Sequence, residues 1–276
     1  MVRMVVNIAG YRFVDLSDRD ELRQPMLDVC LEAGLKGTVL LSPNGINFFL
    51  AGTEEATNSF ISHLESDERL ASIPVKLSHT DYQPFHRMLV KRKKEIISLG
   101  MDDIRPAEFT APHISPNEFK QMLDGGEDVV VLDARNDYET RVGMFDGAVD
   151  LDIASFRDFP GAIESLPDEY QSKTVVMYCT GGIRCEKASA VMLKAGFEDV
   201  RQLEGGILGY FEECGGTHWS GDCFVFDQRV ALDHQLEETE VVMCFRCREP
   251  LSSEEQLSEL YVINQHCPYC VTDESL

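Results

Sequence analysis

Apolar positions along the first hundred residues fall into short extended runs separated by two helical stretches. Residues 2–9 read as a strand. Ser17, with Asp20 three positions on, predicts the N-cap of a helix running to about Ala33, where Gly34 stops it. Gly37 to Leu41 and Ile46 to Ala51 read as strands, and Pro43-Asn44-Gly45 as the turn that folds them into a hairpin. Thr53 caps a second helix from Glu54 to about Leu70, and Ile73 to Leu77 and Met88 to Lys91 are extended. The order β-α-β-β-α-β is that of the split βαβ, ferredoxin-like α+β plan: an antiparallel sheet with two helices on one face and the other face open to a ligand.

The pattern changes near residue 99. Gly100, Pro106 and Pro112 mark residues 99–112 as a linker, with residues 1–98 as the first domain. Ser115-Pro116-Asn117-Glu118 then combines an N-cap, a proline at the first helical position and a capping-box glutamate. A strand from Val129 to Asp133 follows, then a short helix near Asn136 to Arg141 and an extended piece from Gly143 to Ala148. Thr174 to Tyr178 is a β-branched run that reads as a buried strand, and Glu186 to Ala195 as a helix. A last strand, Val200 to Leu203, leads through Gly205-Gly206 into a helix ending near Glu213. Strands alternating with helices over residues 113–213 predict a parallel, doubly wound α/β sheet. Ligands of such sheets bind beyond the carboxyl ends of the strands, where Asp133 and Cys179 both lie. Residues 214–276 form a C-terminal extension; up to residue 240 it has little periodicity beyond one strand-like piece, Phe224-Val225-Phe226-Asp227.

The candidate chemistry sits between strand and helix, in Cys179-Thr180-Gly181-Gly182-Ile183-Arg184-Cys185. A cysteine at a strand end, followed by two glycines and a helix start, can be wrapped by backbone N–H groups and by the positive end of the helix. Both favour thiolate over thiol, and Arg184 adds a cation at the far end of the loop. Cys179 is therefore the candidate nucleophile; an ordinary turn after a buried cysteine is the structural alternative. Cys185 reads equally as a partner that resolves an oxidised Cys179 or as a packing thiol. Asp133, Arg135 and Glu139 read either as charged support for a pocket or as a structural ion pair at the strand-to-helix turn, the second being favoured.

Charge changes the picture by its distribution. The net charge of −23 argues against a nucleic-acid partner for the chain as a whole. Yet residues 1–94 balance 12 Lys/Arg against 12 Asp/Glu, and the remaining 13 cations and 36 anions carry the entire excess. The neutral part closes on a basic run, Arg87, Lys91, Arg92, Lys93 and Lys94, which by charge alone reads as a strand edge kept soluble by lysines. His86 beside it reads as a solvated histidine. With no apolar run near the roughly 18 residues of a membrane span and no signal-peptide layout, the expected location is the cytoplasm. There nine cysteines point to catalysis or metal rather than disulfides. Cys244-x2-Cys247 and Cys267-x2-Cys270, 19 residues apart, fit a structural four-thiolate zinc site with no open coordination position. No catalytic cofactor motif is evident.

From Ile114 to Phe211 the chain resembles a rhodanese domain, through Leu132-Asp133-Ala134-Arg135, Tyr138-Glu139, Gly143 to Ala148, the Cys179 loop and Leu203 to Ile207. Over nearly its full length it resembles the bacterial rhodanese-containing tRNA uridine hydroxylases, whose first domain is acylphosphatase-like. That match is carried by Lys36-Gly37-Thr38, Gly45-Ile46-Asn47, Arg87, Val90-Lys91, Lys94-Glu95-Ile96, Tyr178 to Ala188 and Phe224 to Asp227. It departs from the common pattern at Asn44 and Gln228, where glutamate is usual. The resemblance implies oxygen-dependent conversion of the wobble uridine to 5-hydroxyuridine, with molecular oxygen as cosubstrate and the persulfide-forming cysteine at Cys179. It makes tRNA the partner and turns the basic run into candidate phosphate contacts for an anticodon stem-loop, whose unpaired base is easily splayed toward the loop. Related phosphatase loops are one residue longer than Cys179 to Arg184, which favours sulfur over phosphate. Two other readings stand beside the hydroxylase: a sulfurtransferase fed by a sulfur donor, and a non-catalytic RNA- or protein-binding adaptor.

Overall fold

The computed structural model describes residues 4–271 and divides into two compact units, Met1–Thr110 and Ala111–Leu276. The first two residues of the expected opening strand, and the last five of the C-terminal extension, lie outside the described residues.

The first unit is built on a sheet of β1 (Val5–Phe13), β2 (Lys36–Ser42), β3 (Gly45–Gly52), β4 (Lys76–Thr80) and β5 (Met88–Arg92), with helices α1 (Arg19–Glu32) and α2 (Glu54–Glu65). Strand order is β4-β1-β3-β2-β5. The first four strands are antiparallel in the ferredoxin-like order, and β5 is an added edge strand parallel to β2. Strand alternation sends Ile8, Val39, Leu41, Ile46, Phe48 and Leu50 into one core with Met26, Cys30, Phe60 and Leu64 of the helices. Phe48 meets Phe60 edge-on at 5.1 Å. The opposite face is not open as expected. Asn7, Asn47 and Ala51 are buried there, because the chain after β4 must cross to the β5 edge. On the way, Gln83 donates to the Ala51 carbonyl at 3.0 Å, and farther on the Ile96 carbonyl accepts from Asn47.

Each helix departs from its expected bounds at one end. The N-cap of α1 is Asp18, not Ser17, and its carboxylate pairs with Arg69 at 2.7 Å rather than capping. Helix α2 begins at the predicted cap, with Thr53 accepting from the Ala56 amide. It ends at Glu65 rather than Leu70, where the Ser66 hydroxyl donates to the His63 carbonyl.

The second unit contains β6 (His113–Ile114), α3 (Pro116–Asp124), β7 (Val129–Asp133), α4 (Asp137–Thr140), β8 (Gly143–Phe145), β9 (Val149–Asp150), α5 (Phe159–Ala162), β10 (Thr174–Tyr178), α6 (Ile183–Lys194), β11 (Asp199–Leu203) and α7 (Gly206–Cys214). Its five-stranded sheet, β6-β11-β10-β7-β9, is wholly parallel and puts β10 in the centre. The Ser115–Glu118 capping box forms at the start of α3 as the sequence predicts. Helix α6 starts three residues earlier than its composition suggests, directly after Gly182. The extension is part of this unit: β12 (Trp219–Gly221) pairs with β8, and β13 (Cys223–Phe224) with β14 (Ala231–Leu232). An aromatic cluster joins extension to core, with Phe145 edge-on to Tyr178 and Tyr210 at 4.8 Å and to Trp219 at 5.1 Å. The last hairpin, β15 (Val242–Met243) and β16 (Pro250–Leu251), carries the first CxxC pair on its turn.

Candidate active site

Cys179 is the first residue beyond the carboxyl end of β10. The loop turns back at Gly182, whose φ of 98° is the left-handed conformation that glycine adopts without cost. Its amide donates to Cys179 Sγ at 3.1 Å. The glycines before α7 lock the loop from the other side. The Ile207 and Leu208 amides donate to the carbonyls of Cys179 and Thr180, and a Cβ on Gly206 would stand 2.3 Å from the Cys179 carbonyl oxygen. The cradle is thus built by two helix N-termini, the positively polarised ends expected to favour an anion.

Cys179 is 1% exposed. Burial pushes its thiol toward neutrality, but the Cys185 S–H, the Arg184 charge and the amides of Arg184 and Cys185 outweigh it, and its pKa falls to about 6. Cys185 goes the other way: burial, and then its contact with Cys179, raise its pKa well above the ordinary thiol value. The pair is therefore a thiolate accepting a hydrogen bond from a neutral thiol.

The remaining charges sort into two buried ion pairs. Asp133 and Arg135 hold each other at 2.6 Å with no exposure of either side chain, and Arg135 also donates to the Gly143 carbonyl. Burial opposes the Arg135 charge, yet Asp133 keeps its pKa above the usual guanidinium value. This pair ties β7 to β8. Glu139 belongs elsewhere: it takes Arg184 bidentately, at 2.5 and 2.7 Å, and accepts from the Thr180 hydroxyl at 3.3 Å. Helix α4, which carries Glu139, thereby fixes the far end of the Cys179 loop. The three residues grouped by sequence are thus one structural pair and one loop anchor.

The extension supplies a wall that the sequence reading did not assign. The Phe224 carbonyl lies 3.5 Å from the Thr180 hydroxyl, and Phe224 stacks edge-on with Tyr138. Phe226, 54% exposed, places its ring centroid 5.8 Å from the Arg184 guanidinium carbon. Its signal is the apolar run Phe224-Val225-Phe226, which the sequence marks as a strand-like piece and as part of the family resemblance without giving it a role in the site.

In the first unit, Arg87, Lys91, Arg92, Lys93 and Lys94 are all exposed, as is His86. Alternation along β5 splits the run. Arg92 lies on the helix side and pairs with Asp20 at 2.9 Å, whereas Lys91 faces the other way. Two arginines the sequence reading omitted join the helix side: Arg19 donates to the Lys93 carbonyl and Arg23 to the Val90 carbonyl. The Arg92–Asp20 pair stands in solvent, where ion pairs are weak, and leaves the arginine available to a phosphate.

The four tail cysteines converge, with every Sγ within 4.8 Å of the others. They are reduced thiols, alternately buried and half-buried. A zinc ion fits this all-sulfur donor set and would serve structure alone, since four thiolates leave no open position.

Family models match the chain twice: a UPF0176 acylphosphatase-like domain over residues 5–96 and a rhodanese-like domain over residues 115–213. The tRNA uridine(34) hydroxylase of Cupriavidus necator is 52% identical over 272 residues, covering 97% of this chain and 96% of its own. That of Ralstonia nicotianae is 48% identical over 276 residues, covering 98% of each. Among solved structures, a rhodanese-like domain from Anabaena aligns at 24% identity with a TM-score of 0.33, over 41% of this chain and 80% of that one. The chain belongs to the tRNA uridine(34) hydroxylase family.

Proposed function

We propose that this protein is an oxidoreductase that hydroxylates uridine 34, the wobble position of tRNA, to 5-hydroxyuridine, with Cys179 as the essential sulfur. The observation that carries this reading is the Cys179 cradle: a thiolate held by Gly182 and Cys185, in a chain that matches named hydroxylases from end to end. An anionic sulfur, as thiolate or as persulfide, can add to the electron-poor C6 of a uracil. The addition makes C5 electron-rich and open to molecular oxygen, the cosubstrate of this proposal: one oxygen atom stays on C5, a thiol reductant supplies the two electrons that release the other as water, and loss of the C5 proton with the C6–S bond restores the ring and frees the sulfur. The exposed Phe226 ring beside Arg184 suits a base splayed out of an anticodon loop, since stacking is how proteins hold unpaired bases. Arg87, Lys91, Arg92, Lys93 and Lys94, with Arg19 and Arg23, supply the phosphate contacts. No helix among the described residues is long and apolar enough to cross a membrane, and we place the protein in the cytoplasm with its tRNA.

Nucleoside analysis of tRNA from cells lacking the gene tests the proposal. Wild-type protein should restore 5-hydroxyuridine, and Cys179→Ala should not. Equal restoration by both would remove Cys179 from the chemistry. The six-residue loop favours sulfur transfer as a second reading, with a sulfur donor as partner. Thiosulfate turnover through Cys179, with unchanged tRNA nucleosides, would select it.

A further inference from the structure

We propose that Cys244, Cys247, Cys267 and Cys270 bind one zinc ion as a tetrathiolate, and that the metal knuckle braces helix α4, and through it the Cys179 loop, by way of Arg141.

The first observation is the shape of the donor set. Sulfurs at the corners of a tetrahedron around zinc, with Zn–S near 2.3 Å, stand about 3.8 Å apart. Here Cys244 to Cys270 is 3.8 Å, Cys247 to Cys267 is 3.5 Å and Cys267 to Cys270 is 3.8 Å. These are the spacings of co-ligands, far longer than the roughly 2.05 Å of a disulfide. The backbone is arranged to match. The Cys244 amide donates to the Glu249 carbonyl and the Arg248 amide to the Cys244 carbonyl, closing the first knuckle on the β15–β16 turn. In the second knuckle the Cys267 amide donates toward Cys270 Sγ at 3.4 Å. His266, the neighbouring alternative ligand, is turned away, with Nδ1 3.0 Å from the Leu260 carbonyl. Around the sulfurs the apolar cluster is small, chiefly Leu251, Val242 and Tyr261. A segment with so little core needs a cross-link, and binding free energy at such a site is folding free energy. Zinc entering four neutral thiols displaces four protons and leaves the centre with a charge of −2.

The second observation is where the knuckles are tied. Arg141 is the C-cap residue of α4. It forms a 2.6 Å ion pair with Glu249, two residues past Cys247. Its guanidinium carbon also lies 4.3 Å from the centroid of Tyr269, inside the second CxxC. One side chain of α4 thus touches both halves of the site. Two residues before Arg141, Glu139 grips Arg184. The brace therefore ends on the cation whose charge favours the Cys179 thiolate.

The test uses the full chain purified without chelator. Metal analysis should give one zinc per chain, released as one equivalent by a mercurial thiol reagent. Cobalt(II) in its place should show the visible bands and sulfur-to-metal charge transfer of a tetrathiolate. Cys267→Ser should lose both. Hydrogen exchange then reads the brace. Arg141→Ala should keep the metal while amides of residues 137–141 exchange about fivefold faster, the size of one surface ion pair plus one cation–π contact. Chelation of the wild type should do the same and also open residues 242–271. Substoichiometric metal together with no tetrathiolate cobalt spectrum, or disulfides among the four cysteines in freshly purified protein, would overturn the site. Unchanged exchange in α4 after metal loss would overturn the brace. Neither readout uses RNA, so each stands whatever becomes of the hydroxylase reading.

Discussion

Two groups of thiols in the same unit use one chemical group in opposite ways. At the Cys179 loop a single sulfur collects all the stabilisation: amides from a glycine turn, the Arg184 field and the hydrogen of its neighbour Cys185. At the knuckles four sulfurs face one another within 4.8 Å, and an ion bound by all four has no open position for a substrate. Cysteine is reactive where one thiolate is isolated among donors, and structural where several share a cation. Sequence position relative to secondary structure separates the two cases. Cys179 stands between a parallel strand and a helix N-terminus, whereas Cys244 and Cys247 stand on the turn of a two-stranded hairpin.

The comparison breaks first at the Glu139–Arg184 pair. Both side chains are almost wholly buried, so Glu139→Ala strands the arginine without a counter-charge. Removing one partner of such a pair costs about 3–5 kcal/mol. The expected result is a lower urea midpoint together with loss of hydroxylation, although Glu139 touches no substrate. A variant with wild-type stability would show that the loop does not depend on α4.

Reactivity toward a small alkylating reagent measures the contrast directly. A group with a lowered pKa is already ionised at pH 7 and loses reactivity only as pH falls through that pKa. Alkylation of Cys179 should therefore be on its plateau at pH 7 and halve near pH 6. A thiol of ordinary pKa is still gaining rate at pH 8. In thiolate population at pH 7 the advantage is about thirtyfold over a thiol titrating near pH 8.5. The knuckle cysteines should stay unmodified until metal is removed. A Cys179 midpoint at or above 8 would erase the distinction.

Phe226 tests whether the reactive loop faces a base. Stacking is worth about 1–3 kcal/mol per base by alanine substitution. Phe226→Ala should therefore raise KM for tRNA about tenfold or more, with Phe226→Tyr largely restoring it and Cys179 alkylation unaffected. An unchanged KM would detach the extension from substrate binding.

How much of this was legible in the sequence follows the range of the interactions. The strand–cysteine–glycine–helix unit, the Ser115 capping box and the 43–45 turn are set by neighbours a few residues apart, and each forms, with only the start of α6 shifted by three residues. The spacing of the tail cysteines announced the knuckles in the same way. What could not be read was long-range. Glu139 closes a capping box with the Asn136 amide three residues back, and nothing in that local bond reveals that it also belongs to Arg184, 45 residues on; Arg141 gives no hint of Glu249, 108 residues on. Strand β5 pairs with β2 across half the first unit, and that pairing divides a contiguous basic run between two faces. Even the open face of the first sheet was a local inference, undone by a crossing that only the sheet order requires.

The smallest effect falls on Cys185, and it decides how isolated the reactive sulfur is. If its S–H is a donor to the Cys179 thiolate, Cys185→Ala removes a group that favours the charged form, and the Cys179 pKa must rise. One hydrogen bond to a charged acceptor supports a shift of about one unit, so the alkylation profile should move to higher pH without changing its plateau. Cys185→Ser returns a donor of similar reach and should move it back. An alanine variant with an unshifted profile would make Cys185 a packing thiol, and the stabilisation of Cys179 would then rest on the amides and Arg184 alone.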